Sequence, residues 1–354
     1  MAGAMNARRS AKTARLSGTG REGVVYRPAI FAAMIAALLG APATAEPVGV
    51  VTILEGDAIT IRGLSEFALA EGVRVSSNDL VETGKSTFLR VEFSDGVIVD
   101  LGPATRVQLN RPTLRRSDRP MLYLLSGWLK ISASKLGTGA KAAVASPQFD
   151  AVSLDGESVE QAQSGASAVF AENGPVRMLD RRRGNPVPIQ LKSGDFMALR
   201  NDGPPKVSGR PEPEFLAALP RQFQDPLPSR IARFKGRDVP AKLAGAFTYA
   251  QVEAWLDAEP MIRRRFVHEW AAKADDGAFR QRLGARLARH PEWEPVLYPE
   301  RFEPKPPAAA VAPPPAPVAS APPAPQAGGS APVNPSVPLS ATPEPGAPEG
   351  APAH

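Results

Sequence analysis

From residue 47 to about residue 200, short apolar runs alternate with clusters of glycine, aspartate, asparagine and serine, and helical periodicity is largely absent. Residues 50–54 run into Glu55-Gly56-Asp57, and residues 58–61 run into Arg62-Gly63. Closely spaced β-rich runs with turn residues between them predict an all-β domain. Residues 121–125, 127–131, 168–170, 176–179 and 196–199 read as further strands.

The clearest unit is residues 88–109. Leu89, Val91 and Phe93 alternate with Arg90, Glu92 and Ser94, and beyond Asp95-Gly96 the residues Val97, Val99 and Leu101 alternate with Ile98 and Asp100. A two-residue turn at Asp95-Gly96 sets Val91 opposite Asp100. A three-residue loop, Ser94-Asp95-Gly96, pairs Phe93 with Val97, Val91 with Val99 and Leu89 with Leu101, and sets Arg90 opposite Asp100. The apolar pattern therefore favours the three-residue loop. Such a loop ends in a left-handed residue, which Gly96 supplies without a Cβ clash.

Beyond residue 205 the texture changes. Residues 206–247 read as a linker, and residues 248–303 as a small helical module. Thr248 is placed to cap a helix carrying Val252, Trp255 and Leu256. Pro260 suits the first turn of a second, on which Ile262, Phe266 and Trp270 recur at i, i+4, i+8. Asp275 or Asp276 caps a third, with Phe279, Leu283 and Leu287 at the same spacing. Residues 304–354 hold 17 prolines among mostly alanine, glycine, serine and valine. Such a composition cannot bury enough apolar surface to fold, so a disordered Pro/Ala-rich tail is expected.

The N-terminus reads as an address. A basic stretch precedes the apolar run 29–39, followed by Gly40, Pro42 and Ala43-Thr44-Ala45. That is the order of a secretory signal peptide, residues 1–45, with cleavage expected after Ala45. Retention as an inner-membrane signal anchor is the alternative. Charge supports this division. The net charge of +6 suggests a nucleic-acid binder until it is located: residues 1–28 hold six of the 42 basic residues and one of the 36 acids. The remainder carries 36 against 35, a net +1, so no nucleic-acid partner is expected. The absence of cysteine excludes disulfides, thiol catalysis and a lipoprotein anchor.

The ordered series of turns carries a family likeness. Gly72, Asn78-Asp79, Glu82-Thr83-Gly84, Phe93-Ser94-Asp95-Gly96 and Leu101-Gly102-Pro103-Ala104-Thr105 are followed by Leu125-Ser126-Gly127-Trp128-Leu129. Ser146-Pro147, Glu172-Asn173-Gly174-Pro175-Val176 and Leu191-Lys192-Ser193-Gly194-Asp195 continue the series. Over residues 46–205 the chain resembles the FecR family of periplasmic sensing and scaffolding domains. The resemblance implies a mainly β fold, a FecR-like β-rich roll or β-helix-like domain. It implies structural motif positions at Gly72, Asp79, Thr83, Gly84, Asp95, Gly96, Gly127, Gly174 and Gly194. In that family a cytoplasmic segment binds a sigma factor; the roughly 28 residues before the apolar run fall below the ~40 a folded segment needs, so this role is not expected here.

No constellation of catalytic residues is evident. His268 and His290 lie 22 residues apart on predicted helices, and His354 is the last residue. None has metal-ligand spacing. Arg181-Arg182-Arg183 reads as a solvated loop rather than an anion site. The expected function is a non-enzymatic periplasmic binding, sensing or scaffolding protein without catalytic, cofactor or metal residues; the alternatives are a peptidoglycan-associated structural protein and a signal-anchored transmembrane signalling component. Its expected partner is another envelope protein or peptidoglycan.

Overall fold

The structure, a computed structural model, describes residues 47–110, 121–133, 142–153, 156–201 and 203–302. Residues 1–45, expected from sequence to be a signal peptide, and the Pro/Ala-rich residues 304–354 lie outside the described residues. The chain is mainly β, as its alternation predicts, with a few short helices in the C-terminal part.

In chain order the strands are β1 Pro47–Glu55, β2 Ala58–Arg62, β3 Ser65–Ala68, β4 Arg74–Ser76, β5 Leu80–Thr83, β6 Phe88–Phe93, β7 Ile98–Leu101, β8 Arg106–Leu109 and β9 Leu122–Ser132. They continue as β10 Ala142–Ala145, β11 Phe149–Ser153, β12 Glu157–Gln163, β13 Ala166–Asn173, β14 Val176–Asp180, β15 Ile189–Leu191, β16 Phe196–Arg200, β17 Lys206–Ser208 and β18 Lys242–Ala246. Hydrogen bonding joins them into two faces of one curled sheet. Face A runs β4-β1-β6-β7-β9-β12-β13-β16-β17. Face B runs β18-β3-β2-β5-β8-β9-β10-β11-β14-β15.

Strand β9 belongs to both faces. The sequence reads as two strands here, residues 121–125 and 127–131; the structure joins them into one strand that bends at Gly127. Its first half pairs with β8, its second with β7 and β12. Gly127 has φ +103°, and a Cβ there would sit 2.4 Å from the Thr105 Cα, so only glycine permits the bend. Thr105 closes the corner: its Oγ1 donates to the Trp128 carbonyl at 3.0 Å and accepts from the Trp128 N–H at 2.9 Å.

The predicted hairpin is present with the three-residue loop. Leu89 faces Leu101, Arg90 faces Asp100 and Val91 faces Val99. The Phe93 N–H donates to the Val97 carbonyl at 2.9 Å, and Gly96 has φ +91°.

The alternation buries one side of each face against the other. Val51, Val81, Leu89, Val91, Val99, Leu101, Val107, Leu124, Leu129 and Ile131 form the core between them. A second core lies further along, where Phe149, Met178 and Leu191 of face B meet Val169, Met197 and Leu199 of face A.

Both outer sides are also covered. Helices α1 Pro213–Ala218, α2 Tyr249–Leu256, α3 Pro260–Glu269, α4 Gly277–Ala285 and α5 Glu294–Leu297 follow the sheet. Helices α2, α3 and α4 begin where the sequence predicts. The Gln251 Oε1 accepts from the Thr248 N–H at 2.7 Å, and the Asp276 carboxylate accepts from Ala278 and Phe279 N–H groups. Their aromatic faces, Phe247, Trp255, Phe266, Trp270, Phe279 and Trp293, pack with Ile61, Leu80 and Tyr123 of face B. His290 falls in the turn before Pro291 rather than on a helix, and is buried.

Residues 206–247, read from sequence as a linker, are packed along the sheet. β17 pairs with β16 and β18 with β3, while Phe215 and Phe223 bury against Ile53, Phe88, Trp128 and Phe196 on the outside of face A. These side chains anchor one at a time in hollows of the sheet, which leaves no periodicity in the sequence. Among the described residues no helix is long and apolar enough to cross a membrane.

Candidate functional site

The outside of face A carries a row of charged side chains in strands that are otherwise apolar. Every residue of β6 is buried, including Arg90 and Glu92, as are Asp100 on β7 and Lys130 on β9. A strand buried on both sides with polar alternates needs partners for those alternates. Across the sheet, Arg90 grips Asp100 with two bonds, Nε to Oδ1 at 2.6 Å and Nη2 to Oδ2 at 2.7 Å. Burial works against the Arg90 charge, but the hydrogen bonds and field of Asp100 outweigh it and hold its pKa above the ordinary guanidinium value.

The remaining partners come from residues 223–231, which cross this face as a strap. Arg90 Nη1 donates to the Leu227 carbonyl at 2.7 Å, and Lys130 Nζ to the Phe223 carbonyl at 2.8 Å. Glu92 accepts from the N–H groups of Arg230 at 2.8 Å and Ile231 at 3.3 Å, from the Ser229 hydroxyl, and from Thr52 Oγ1 at 2.7 Å. Phe223 fixes the start of the strap, its ring edge-on to Phe88 at 6.3 Å. The strap is therefore tied by its main chain to fixed charges on the sheet.

Between strap and sheet lies a cleft of about 540 Å³. Its floor is Arg90, Ile98, Asp100, Lys130 and Ser132, and its far wall is Glu157 and Glu172; residues 223–228 form the other wall. Lys130 Nζ lies 2.6 Å from Glu172 Oε2 and 3.6 Å from Glu157 Oε2. Ser132 Oγ donates to Glu157 Oε1 at 3.2 Å. The size matches occupied ligand sites, and both signs of charge line it beside the apolar Ile98, Phe223 and Leu227.

Of the motif positions predicted from sequence, only Gly96 lines the cleft. The others hold turns. Asp79 is buried, accepts from Arg62 Nε at 2.8 Å and the Ser76 N–H at 2.8 Å, and so closes the turn into β5. Asp195 repeats that device before β16, accepting from the Lys192 N–H at 2.7 Å, with Gly194 at φ +88° where Asn78 has φ +73°. Thr83 Oγ1 donates to the Gly102 carbonyl at 2.6 Å, and the Gly84 N–H donates to the Asp57 carbonyl at 2.9 Å. Gly72 precedes β4, Asp95 accepts from the Val97 N–H at 3.1 Å, and Gly174 turns β13 into β14. Arg181 pairs with Glu259 at 2.7 Å, and Arg182 and Arg183 with Asp180, so the arginine run is spent on ion pairs.

The cleft residues were missed because they belong to the strap's partners, and the strap has no sequence signature. One signal was present: Arg90 and Asp100 face each other in the hairpin register, within strands whose neighbours are apolar.

Two titratable groups lie away from the cleft. Glu160 on β12 shares the inner side of face A with Ala162, is wholly buried, and accepts from Ser158 Oγ at 2.7 Å while its other oxygen has no hydrogen-bond partner. Burial pushes its carboxyl up to about 8. His290 Nε2 lies 3.2 Å from the Tyr249 hydroxyl, and burial holds its pKa below the ordinary value. Among the described residues no three His, Asp or Glu side chains gather as a metal-ligand set.

No protein-family model matches the chain, and no curated protein matches it. Among solved structures it is similar to two crystal structures, each described as a candidate anti-sigma factor from Parabacteroides distasonis. The identities are 18% and 15%, with TM-scores of 0.33 and 0.32. Each match covers 39% of this chain, and 62% and 63% of those chains, so the chain spans under two thirds of their length.

Proposed function

We propose that this chain is an exported, non-enzymatic FecR-like binding protein of the cell envelope, acting as a sensor or scaffold, with the strap-walled cleft as its site for another envelope protein. The cleft is the observation that carries this reading. Its fixed charges are held by opposite charges or carbonyls, an arrangement suited to positioning a partner rather than to moving protons. Export rests on the basic, apolar and small-residue order of residues 1–45.

The test places a photo-crosslinking residue at Ile98 in the cleft and, as a control, at the exposed Val187. Cells are irradiated, fractionated, and the N-terminus of the mature chain determined. A discrete adduct with an envelope protein from position 98 alone, on a chain beginning at Glu46, is the expected result. Identical adducts from both positions, or none from position 98, would sink the assignment of the site. An intact N-terminus in the inner membrane would replace export by a signal anchor.

A further inference from the structure

The outside of face A already holds one polypeptide segment, and the manner of holding defines what this surface recognises. Arg90 and Lys130 donate to strap carbonyls, and Glu92 accepts strap N–H groups. The Ser229 hydroxyl is the one strap side chain in these contacts. Most of these polar contacts read main-chain groups, at or beside the 3-10 turns Arg221–Phe223 and Ile231–Phe234 that bound the strap.

The cleft continues that surface beyond the strap. Arg90 and Asp100 close on each other, so the charges left to act on an occupant are Lys130 against Glu157, Glu172 and Asp225. Lys130 is buried, whereas the side chains of Glu157 and Glu172 are each 34% exposed. The accessible field is thus acidic, beside the apolar Ile98, Phe223 and Pro226 of the lining. The resident Lys130 ammonium shows how the two glutamates and a carbonyl surround a cation, at 2.6, 3.6 and 2.8 Å.

Resting on the partner-binding reading above, we infer that the cleft takes a segment of a partner polypeptide and seats one basic side chain against Glu157 and Glu172. Those carboxylates also hold Lys130, and Lys130 holds the Phe223 carbonyl, so an arriving cation is felt at the start of the strap.

The test titrates the isotope-labelled full chain with two capped tripeptides, Ac-Ala-Lys-Ala-NH2 and Ac-Ala-Glu-Ala-NH2, and follows backbone amides by NMR. The lysine peptide is expected to shift Ser132, Glu172 and Phe223 saturably, and to bind at least about tenfold more tightly than the glutamate peptide, a difference near 1.4 kcal/mol. The double variant E157Q/E172Q is expected to abolish that preference while the chain stays folded, with the thermal midpoint lowered because the buried Lys130 loses its carboxylate partners. Equal binding of the two peptides, a preference that survives the double variant, or no saturable shift at these residues would overturn the inference. Butylamine binding as tightly as the lysine peptide would overturn its polypeptide part. A position-98 adduct that persists undiminished in E157Q/E172Q would sink this inference and leave partner binding standing. Loss of the adduct in the unmodified chain would instead sink the partner-binding reading, while the tripeptides still decide the chemistry.

Discussion

The two covers of the sheet are built on opposite principles. Outside face B, helices α2 to α5 bury a continuous aromatic layer in which Phe266 stacks on Trp270 with centroids 4.0 Å apart. Outside face A, the strap contributes Phe223 and Leu227 but is otherwise tied by carbonyls and N–H groups to buried charges. Apolar packing fills its space, because voids forfeit dispersion contacts. Charged recognition of a main chain needs only correct distances at a few points and tolerates an open cleft beside them. The first cover is suited to holding the fold together; the second leaves a surface on which something else can bind.

That contrast breaks first at Trp255, which is fully buried and donates its indole N–H to Glu82 Oε1 at 2.8 Å. Trp255→Ala should lower the stability of the folded chain by about 3–5 kcal/mol in denaturant unfolding, because the hollow cannot collapse. A loss below about 1 kcal/mol would show that the helical cover is not integral to the fold.

On the other side, Arg90→Met strands Asp100 as a buried charge and should cost about 3 kcal/mol, with the double variant Arg90→Met, Asp100→Leu recovering most of it. Equal losses in the single and double variants would mean that Arg90 matters for its packing and not for its charge.

Between the covers, Glu160 gives a pH signature that belongs to the sheet itself. Its carboxyl titrates near pH 8 when folded, against an ordinary value of 4.5, so the unfolded chain gives up this proton first as pH rises. Its contribution is fully favourable below about pH 4.5 and is lost progressively up to about pH 8, by roughly 3 kcal/mol at pH 7. Glu160→Gln should flatten stability across that window; an unchanged slope would assign the pH dependence to another group.

The smallest effect sharpens the comparison most. Glu92→Gln keeps the shape but cannot accept from every group that the carboxylate serves, a loss of about 1–2 kcal/mol. Amide exchange at Arg230 and Ile231 should accelerate while exchange in α2 to α4 stays as it was. Faster exchange in both places would show that the two covers open together.

Local order along the chain determined a good deal. The hairpin at residues 88–101 was legible with its register, because alternation and a three-residue loop are properties of neighbouring residues. The helix starts at Thr248, Pro260 and Asp276 were legible for the same reason, since a cap and its recipient lie within three residues. Tertiary structure alone decided that residues 121–131 form one bent strand, because the bend answers to Thr105 across the corner. It alone decided the cleft. Arg90 and Leu227 are 137 residues apart, and Lys130 and Phe223 are 93. A carbonyl is carried by every residue, so no residue type marks where a strap will be read by its main chain. Sequence records which side chains are charged; only the folded chain sets a carbonyl, a neighbouring strand or open space beside each of them.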